Sequence, residues 1–126
     1  MKYIIDAFSW IEYLEGSEKG KKVYEILSSD AENYSLSITI AEVVSKVKRK
    51  NGNQQLAYNS IISNSKTLEI TSKIAQEAGL LHAEIRKKSP NFGIVDALLI
   101  TAARDIKAKV LTGDHHFKQF NEAVLL

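Results

Sequence analysis

The chain has 126 residues, no cysteine and a formal net charge of +2, which fits one domain and excludes disulfides and thiolate metal sites. Its 44% hydrophobic and 25% charged residues are the ordinary balance of a globular domain. So small a positive excess does not indicate a large phosphate-binding face, although local clusters of charge matter more than the sum.

No stretch of the sequence approaches the roughly 20 apolar residues of a membrane span. The N-terminal segment runs directly into a strand-like pattern and has no signal-peptide character. We therefore expect a soluble cytoplasmic protein without a membrane anchor.

Short apolar runs alternate with longer amphipathic ones along the first half of the chain. They predict strands at residues 3–5 and 34–38. The helical periodicity and the stop signals between segments predict helices at residues 7–14, 18–28, 40–50 and 53–64.

The second half continues the alternation. Strands are predicted at residues 67–70, 109–112 and 123–126, and helices at 72–88, 93–106 and, shorter, 115–120. Alternating strands and helices indicate one α/β domain over residues 1–126, with a mostly parallel central sheet and helices on both faces.

Four acidic residues lie near predicted strand ends or helix starts. Asp6 closes the first strand, and Asp114 follows the strand at 109–112. Glu42 and Asp96 fall in the first turns of their predicted helices. Because ligand sites in open α/β sheets lie beyond the carboxyl ends of the strands, we expect these four side chains at one edge.

Three of the four acids also have a purely structural interpretation. Asp6 suits the N-cap of the helix beginning at Ala7. Thr39 and Glu42 match a capping box, and Asp114 after Gly113 suits an ordinary turn.

Asp96 is harder to explain in this way. Its helix is nearly apolar all round, which predicts burial, and a buried carboxylate is costly unless it is paired or metal-bound. No basic residue lies one turn away, so we expect its partner from elsewhere, a cation being the best candidate. Converging carboxylates are tolerated around magnesium or manganese, ions that suit phosphodiester hydrolysis.

Four motifs resemble those of PIN domains, in family order and over essentially the whole chain. They are the opening from Ile5 to Leu14, the segment from Thr39 to Glu42, the segment from Gly93 to Ala103, and the segment from Thr112 to Phe117. The resemblance is strongest to the VapC toxins of toxin–antitoxin pairs.

The resemblance implies a magnesium- or manganese-dependent endoribonuclease. Its metal-binding acidic residues would be Asp6, Glu42, Asp96 and Asp114. It also implies an RNA substrate, an antitoxin partner that holds the enzyme inactive, and a homodimer.

Two positions depart from the family pattern. His116 stands where members often carry a further aspartate, which leaves a weaker metal site or a role for His116 as a ligand or phosphate contact. Phe8 stands where a small hydroxyl or amide residue is common, with Ser9 next to it. Ser9 and His116, together with Thr112 at the start of the fourth motif, are candidate accessory residues.

The remaining polar and aromatic groups each have two interpretations. Arg86, Lys87 and Lys88 suit the C-terminal dipole of their helix, or else contact RNA phosphates beside the cleft. Trp10 fits the core or a dimer contact better than a base-stacking platform, and His82 fits an ordinary surface position.

Three other functions fit parts of the pattern. A PIN-type RNA-processing nuclease would need no antitoxin, and an inactive PIN-like protein-binding domain would use its acids only as caps. A phosphoacceptor receiver domain needs an acidic pair after the first strand and an acceptor aspartate after the third. Ala7 after Asp6, and Ile70 and Thr71 after the third strand, argue against that last class.

Overall fold

The computed structural model describes all residues from 1 to 126. Five strands form one entirely parallel sheet in the order β3-β2-β1-β4-β5. The strands are β1 (Lys2–Ile5), β2 (Glu32–Leu36), β3 (Lys66–Leu68), β4 (Lys109–Thr112) and β5 (Ala123–Leu125). The predicted α/β class and parallel sheet are confirmed.

Six α-helices connect the strands, and none of them is long and apolar enough to cross a membrane. They are α1 (Ala7–Glu15), α2 (Glu18–Leu27), α3 (Ser37–Arg49), α4 (Gln54–Asn64), α5 (Ser72–Arg86) and α6 (Ile94–Ile106). A 3₁₀ helix (His115–Gln119) links β4 to β5, at the position of the predicted short helix.

Helices cover both faces of the sheet because neighbouring residues of a strand point to opposite sides. On one face, Ile4 joins Ile100 of α6 and Ala78 of α5 in one core. On the other face, Ile5 packs with side chains from α1 to α4, among them the fully buried Trp10. Trp10 is therefore a core residue, which agrees with one of its two predicted roles.

The boundary between β2 and α3 differs from the prediction. β2 ends at Leu36, whose register partner is Leu68 of β3, and α3 begins at the next residue. The sheet pairing, rather than a cap, sets this boundary, since no side chain caps α3. The predicted capping box is therefore wrong: Thr39 lies inside the helix, and its buried hydroxyl has no hydrogen-bond partner.

A chain of hydrogen bonds fixes α1 against β2. The indole Nε1 of Trp10 donates to the Ser35 hydroxyl at 2.9 Å. Ser35 and Ser65 hydroxyls lie 2.8 Å apart, and Ser65 donates onward to the Ile61 carbonyl. Ser35 therefore donates to Ser65, and every hydrogen of this Trp10–Ser35–Ser65 chain is used.

Candidate metal centre

Asp6 stands at the junction of β1, α1 and β4. As the N-cap of α1 it accepts the Ser9 N–H at Oδ1, 2.8 Å away. Its own N–H donates to the Leu111 carbonyl, and the Ser9 hydroxyl donates to the same carbonyl at 2.8 Å. The predicted N-cap is therefore confirmed. It lies in a buried position, since Asp6 is only 5% exposed.

Burial raises the pKa of the Asp6 carboxyl to about 6, against an ordinary value of 3.8. Hydrogen bonds from the Thr112 hydroxyl and the Ser9 N–H lower that pKa, and the charge of Asp114 raises it. Thr112 also accepts the Asp114 N–H at 3.0 Å. Thr112 is thus hydrogen-bonded both to the Asp6 carboxylate and to the backbone of Asp114.

Asp96 has a local partner that the sequence did not predict. Its Oδ2 accepts the N–H of Gly93, the N-cap residue of α6, at 2.9 Å. The side chain is only half-buried, since α6 begins at the surface with Ile94 50% exposed. The expectation of a deeply buried acid without a local partner is therefore wrong.

The pKa of Asp96 is nevertheless raised. Burial is the largest cause, the Gly93 N–H opposes it, and the charge of Asp114 raises the pKa further. His116 and His82 each lower the pKa of Asp96. The charges of both histidines therefore act on the acidic centre.

Glu42 lies in the second turn of α3, one turn later than predicted because that helix starts earlier. Burial raises its pKa most, followed by the charges of Asp6 and Asp96. The side chain makes no hydrogen bond or ion pair within the protein. Its connection to the centre is therefore electrostatic alone.

Asp114 caps the 3₁₀ helix. Its Oδ1 accepts the His116 N–H at 2.9 Å and lies 3.0 Å from His116 Nδ1. His116 therefore holds Asp114 from both its backbone and its ring. The adjacent His115 is exposed.

The structure brings the four predicted acids into mutual electrostatic range at the carboxyl edge of the sheet. Asp114 acts on Asp6 and Asp96, and both of these act on Glu42. No three acidic or histidine side chains are placed to coordinate one ion together as they stand. The donor set fits a hard divalent cation, since all four are carboxylates and a cation would offset the burial and, secondarily, the repulsion that raise three of their pKa values.

The predicted RNA-contacting residues Arg86, Lys87 and Lys88 lie at the exposed C-terminal end of α5. Lys87 pairs with Glu84 at 3.1 Å, a surface ion pair. Just beyond them, a pocket of about 430 Å³ opens between the segment Ser89 to Phe92 and the 3₁₀ helix. His115, His116 and Lys118 line its other side.

Three side chains beside the centre were missed or misjudged from the sequence. The ring of Phe8 covers Gly113 so closely that a Cβ there would overlap it, and Lys19 Nζ lies 5.3 Å from the ring centroid. His82 is half-buried and stacks on Phe92 at 6.2 Å, so it is no ordinary surface histidine. These contacts come from packing between elements far apart in sequence.

Comparison with known proteins adds a family to this geometry. A family model described as PIN domain matches residues 3–123. No protein with a curated description matches the sequence significantly.

Several solved structures share the fold. A toxin–antitoxin complex from Klebsiella pneumoniae aligns with a TM-score of 0.78 and 20% identity, over 97% of this chain and 95% of that one. VapBC2 from Rickettsia felis, bound to a DNA fragment from its promoter, gives 0.76 and 21%, over 100% and 98%. VapC20 of Mycobacterium tuberculosis, a sarcin–ricin loop cleaving toxin, gives 0.72 and 15%, over 94% and 95%.

The family model spans nearly the whole chain, and the neighbours extend over nearly all of their own length as well. The resemblance found in the sequence is confirmed, and the chain belongs to the PIN-domain family.

Proposed function

We propose that the protein is a metal-dependent endoribonuclease, the toxin of a VapBC-type toxin–antitoxin pair. The observation that carries this proposal is the acidic centre itself. Carboxylates from separate elements lie within electrostatic range of one another at one sheet edge, and burial and mutual repulsion raise the pKa of Asp6, Glu42 and Asp96. The groups that lower these pKa values are hydrogen-bond donors and, at Asp96, His116 and His82; a bound cation would balance the remaining negative charge.

In this proposal Asp6, Glu42, Asp96 and Asp114 hold Mg²⁺ or Mn²⁺. The ion, when bound, lowers the pKa of water and stabilises the charge that develops on the phosphodiester. Backbone N–H groups keep Asp6 and Asp96 oriented, while Glu42 is free of hydrogen bonds and can adjust. Ser9 and Thr112 support Asp6 from behind.

The pocket beside the 3₁₀ helix is a suitable place for substrate phosphates. Lys118, His115 and His116 line it within one to four residues of Asp114, and Arg86, Lys87 and Lys88 end the helix that leads to its other wall. Lysine and arginine contacts to phosphate position a nucleic acid without reading its sequence. A neighbour described as a sarcin–ricin loop cleaving toxin supports RNA as the substrate class.

An antitoxin partner is supported by the toxin–antitoxin complexes among the structural neighbours. A groove of about 370 Å³ lies between α1, α3 and α4, with apolar walls that include Leu14 and the 59% exposed Leu56. It shares Ile11 and Lys46 with a second groove that leads to Glu42. We assign an amphipathic antitoxin segment with acidic residues to this path, since Lys46, Lys50 and Arg49 edge it.

The antitoxin assignment is tested by co-expression with the product of the adjacent small gene. Leu56→Glu should abolish co-purification, whereas Leu80→Glu on α5, where Leu80 is 68% exposed, should preserve it. Equal co-purification of both variants would contradict the assignment. Homodimerisation, checked by light scattering, and a cytoplasmic location remain parts of the same proposal.

The metal and the reaction are tested on the same samples. Calorimetric titration with Mn²⁺ is compared for the wild type, Asp6→Asn and Asp96→Asn, followed by cleavage of RNA in the presence of Mg²⁺ or Mn²⁺. We expect binding and cleavage in the wild type and the loss of both in the variants. A wild type that binds no metal and cuts no RNA would refute the nuclease.

A second candidate function has one observation in its favour. Asp6, Asp96 and Asp114 each accept a backbone N–H at a helix start, as they would in an inactive PIN-like protein-binding domain. That function predicts no metal binding and unchanged partner binding in Asp96→Asn. A PIN-type RNA-processing nuclease without an antitoxin instead predicts cleavage without an inhibitory neighbouring gene product.

A further inference from the structure

We propose that Phe8 and Lys19 form a nucleotide-binding subsite on the rim of the acidic centre. The Phe8 ring stacks on the base next to the scissile phosphate, and the Lys19 ammonium contacts the adjoining phosphate of single-stranded RNA. The inference rests on the proposed ribonuclease function and deepens it, because it assigns residues that position the substrate.

Phe8 lies close to the acidic centre. Phe8 lies two residues after Asp6, in the first turn of α1. Its ring covers Gly113, the residue between Thr112 and Asp114. The ring therefore lies on the segment between Thr112 and Asp114, while the Phe8 backbone lies two residues beyond Asp6.

The Phe8 ring is partly exposed to solvent. Phe8 is 40% exposed although it packs on Gly113, whereas Trp10 on the same helix is fully buried. An aromatic ring fixed on one side and open on the other is preorganised for stacking, because little conformational entropy remains to be lost. Bases in single strands stack on such rings whatever their identity.

The ammonium group of Lys19 lies beside the Phe8 ring. Lys19 Nζ lies 5.3 Å from the ring centroid, within cation–π range. Lys19 makes no ion pair or hydrogen bond with any acidic side chain, unlike its neighbour Lys21, which pairs with Glu18 at 3.0 Å. An ammonium without a carboxylate partner, next to an open ring, matches the alternation of base and phosphate along a nucleic-acid strand.

Single-stranded RNA fits this surface better than a protein side chain would. A protein partner would be served equally well by any exposed aromatic, such as Tyr24 or Tyr58. Phe8 alone among them lies beside carboxylates suited to phosphodiester hydrolysis. Stacking tolerates any base, so the subsite sets the position of the strand rather than its sequence.

The test uses protein carrying Asp96→Asn, so that RNA binding is measured without cleavage. A fluorescein-labelled single-stranded RNA is titrated, and Kd is read from anisotropy. Adding Phe8→Leu should raise Kd by about 10-fold, since loss of a stacking ring weakens binding by about that factor. Phe8→Tyr, which keeps the ring, should bind like the parent, and so should the matched control Tyr58→Leu, whose lost ring is 41% exposed.

Lys19→Met tests the phosphate contact separately. Losing one phosphate contact to a single strand should make the slope of log Kd against log salt concentration shallower by about 0.7. Thermal unfolding of each variant verifies that the fold is kept. An unchanged Kd for Phe8→Leu in a folded protein, or no RNA binding by the parent, would overturn the subsite.

The outcome is separable from that of the nuclease proposal. In protein without the Asp96 change, Phe8→Leu should raise KM for a short RNA by about 10-fold with little change in kcat, because it removes uniform binding. RNA binding that depends on Phe8 in a protein that never cleaves would refute the nuclease and keep the subsite. Cleavage with unchanged KM and kcat in Phe8→Leu would do the reverse.

Discussion

Two clusters of polar side chains, on neighbouring strands of this protein, are arranged in opposite ways. In the Trp10–Ser35–Ser65 chain, each donor has an acceptor and no net charge is buried. In the acidic centre, burial first and neighbouring carboxylates second raise the pKa values, and that of Asp6 reaches about 6. The first arrangement holds α1 on the sheet; the second weakens the metal-free fold.

The difference teaches where to look for function in a small α/β domain. A completed hydrogen-bond chain is explained by stability alone, because unpaired buried groups are costly. A cluster of like charges is not explained by stability, and perturbed pKa values in a cleft indicate a site. Substitutions in the acidic centre should therefore affect activity, whereas substitutions in the Trp10–Ser35–Ser65 chain should affect the free energy of unfolding.

The largest expected effect is on the acidic side. Glu42→Gln should lower RNA cleavage by about 100-fold or more, a loss of roughly 3 kcal/mol of transition-state stabilisation. The free energy of unfolding should not fall, since Glu42 makes no hydrogen bond. Single-turnover cleavage and chemical denaturation measure the two quantities. Glu25→Gln, an exposed acid of α2, is the control, and equal activities of the two variants would remove Glu42 from the centre.

The next largest effect is expected in the Trp10–Ser35–Ser65 chain. Ser35→Ala leaves the buried Trp10 Nε1 without its acceptor, which should lower the free energy of unfolding by about 1–3 kcal/mol. Mn²⁺ affinity and cleavage at low temperature should stay at the wild-type level. Denaturation by urea measures the loss, with Ser28→Ala on the surface as control. A fall in Mn²⁺ affinity would show that the two polar groups are coupled.

A smaller effect of opposite sign is expected at Asp6. Its folded pKa of about 6 exceeds the ordinary 3.8, so the folded protein holds the proton more tightly than the unfolded chain does. Metal-free stability should therefore fall as the pH rises from about 4 through 6 and then level off. Asp6→Asn should flatten this dependence and raise stability at pH 7 to 8 by roughly 1–2 kcal/mol. A metal-free variant less stable than the wild type at pH 8 would contradict the cost assigned to burying the Asp6 charge.

The smallest effect is expected at His116. Its ring pairs with Asp114 on an exposed surface, so His116→Ala should change the free energy of unfolding by less than about 1 kcal/mol. Mn²⁺ affinity should not fall, because Asp114 keeps its backbone partner. Calorimetry with His115→Ala as control measures this. A loss of affinity of 10-fold or more would make His116 a ligand in place of the family's additional aspartate.

The sequence predicts the fold and the four acids because both follow local rules. Hydrophobic periodicity located every strand and helix, and the parallel order places Asp6 and Asp114 at one edge. The boundary of α3 was missed because the pairing of Leu36 with Leu68 decides it, a contact between residues 32 positions apart. The partner of Asp96 was missed because it is a backbone N–H at Gly93, which no side-chain pattern reveals.

Residues on the rim of the centre were beyond reach of the sequence for another reason. Phe8 was noted only as a departure from the family pattern, and its contact with Gly113 depends on β1 lying beside β4. Lys19 comes from α2, and His82 from α5 on the other face of the sheet. Such contacts depend on how helices pack, which periodicity leaves undetermined.

The pairing of the first strand with the fourth has a consequence for the chain during its synthesis. The Ser9 hydroxyl reaches the Leu111 carbonyl across 102 positions of sequence, and Tyr3 lies opposite Lys109. The sheet edge that gathers Asp6 and Asp114 is thus completed only after β4 has left the ribosome, since non-local pairing must wait for its partner. A nascent chain arrested before that point carries three of the four acids but no assembled centre, so an incomplete copy lacks the arrangement on which the proposed cleavage of RNA depends.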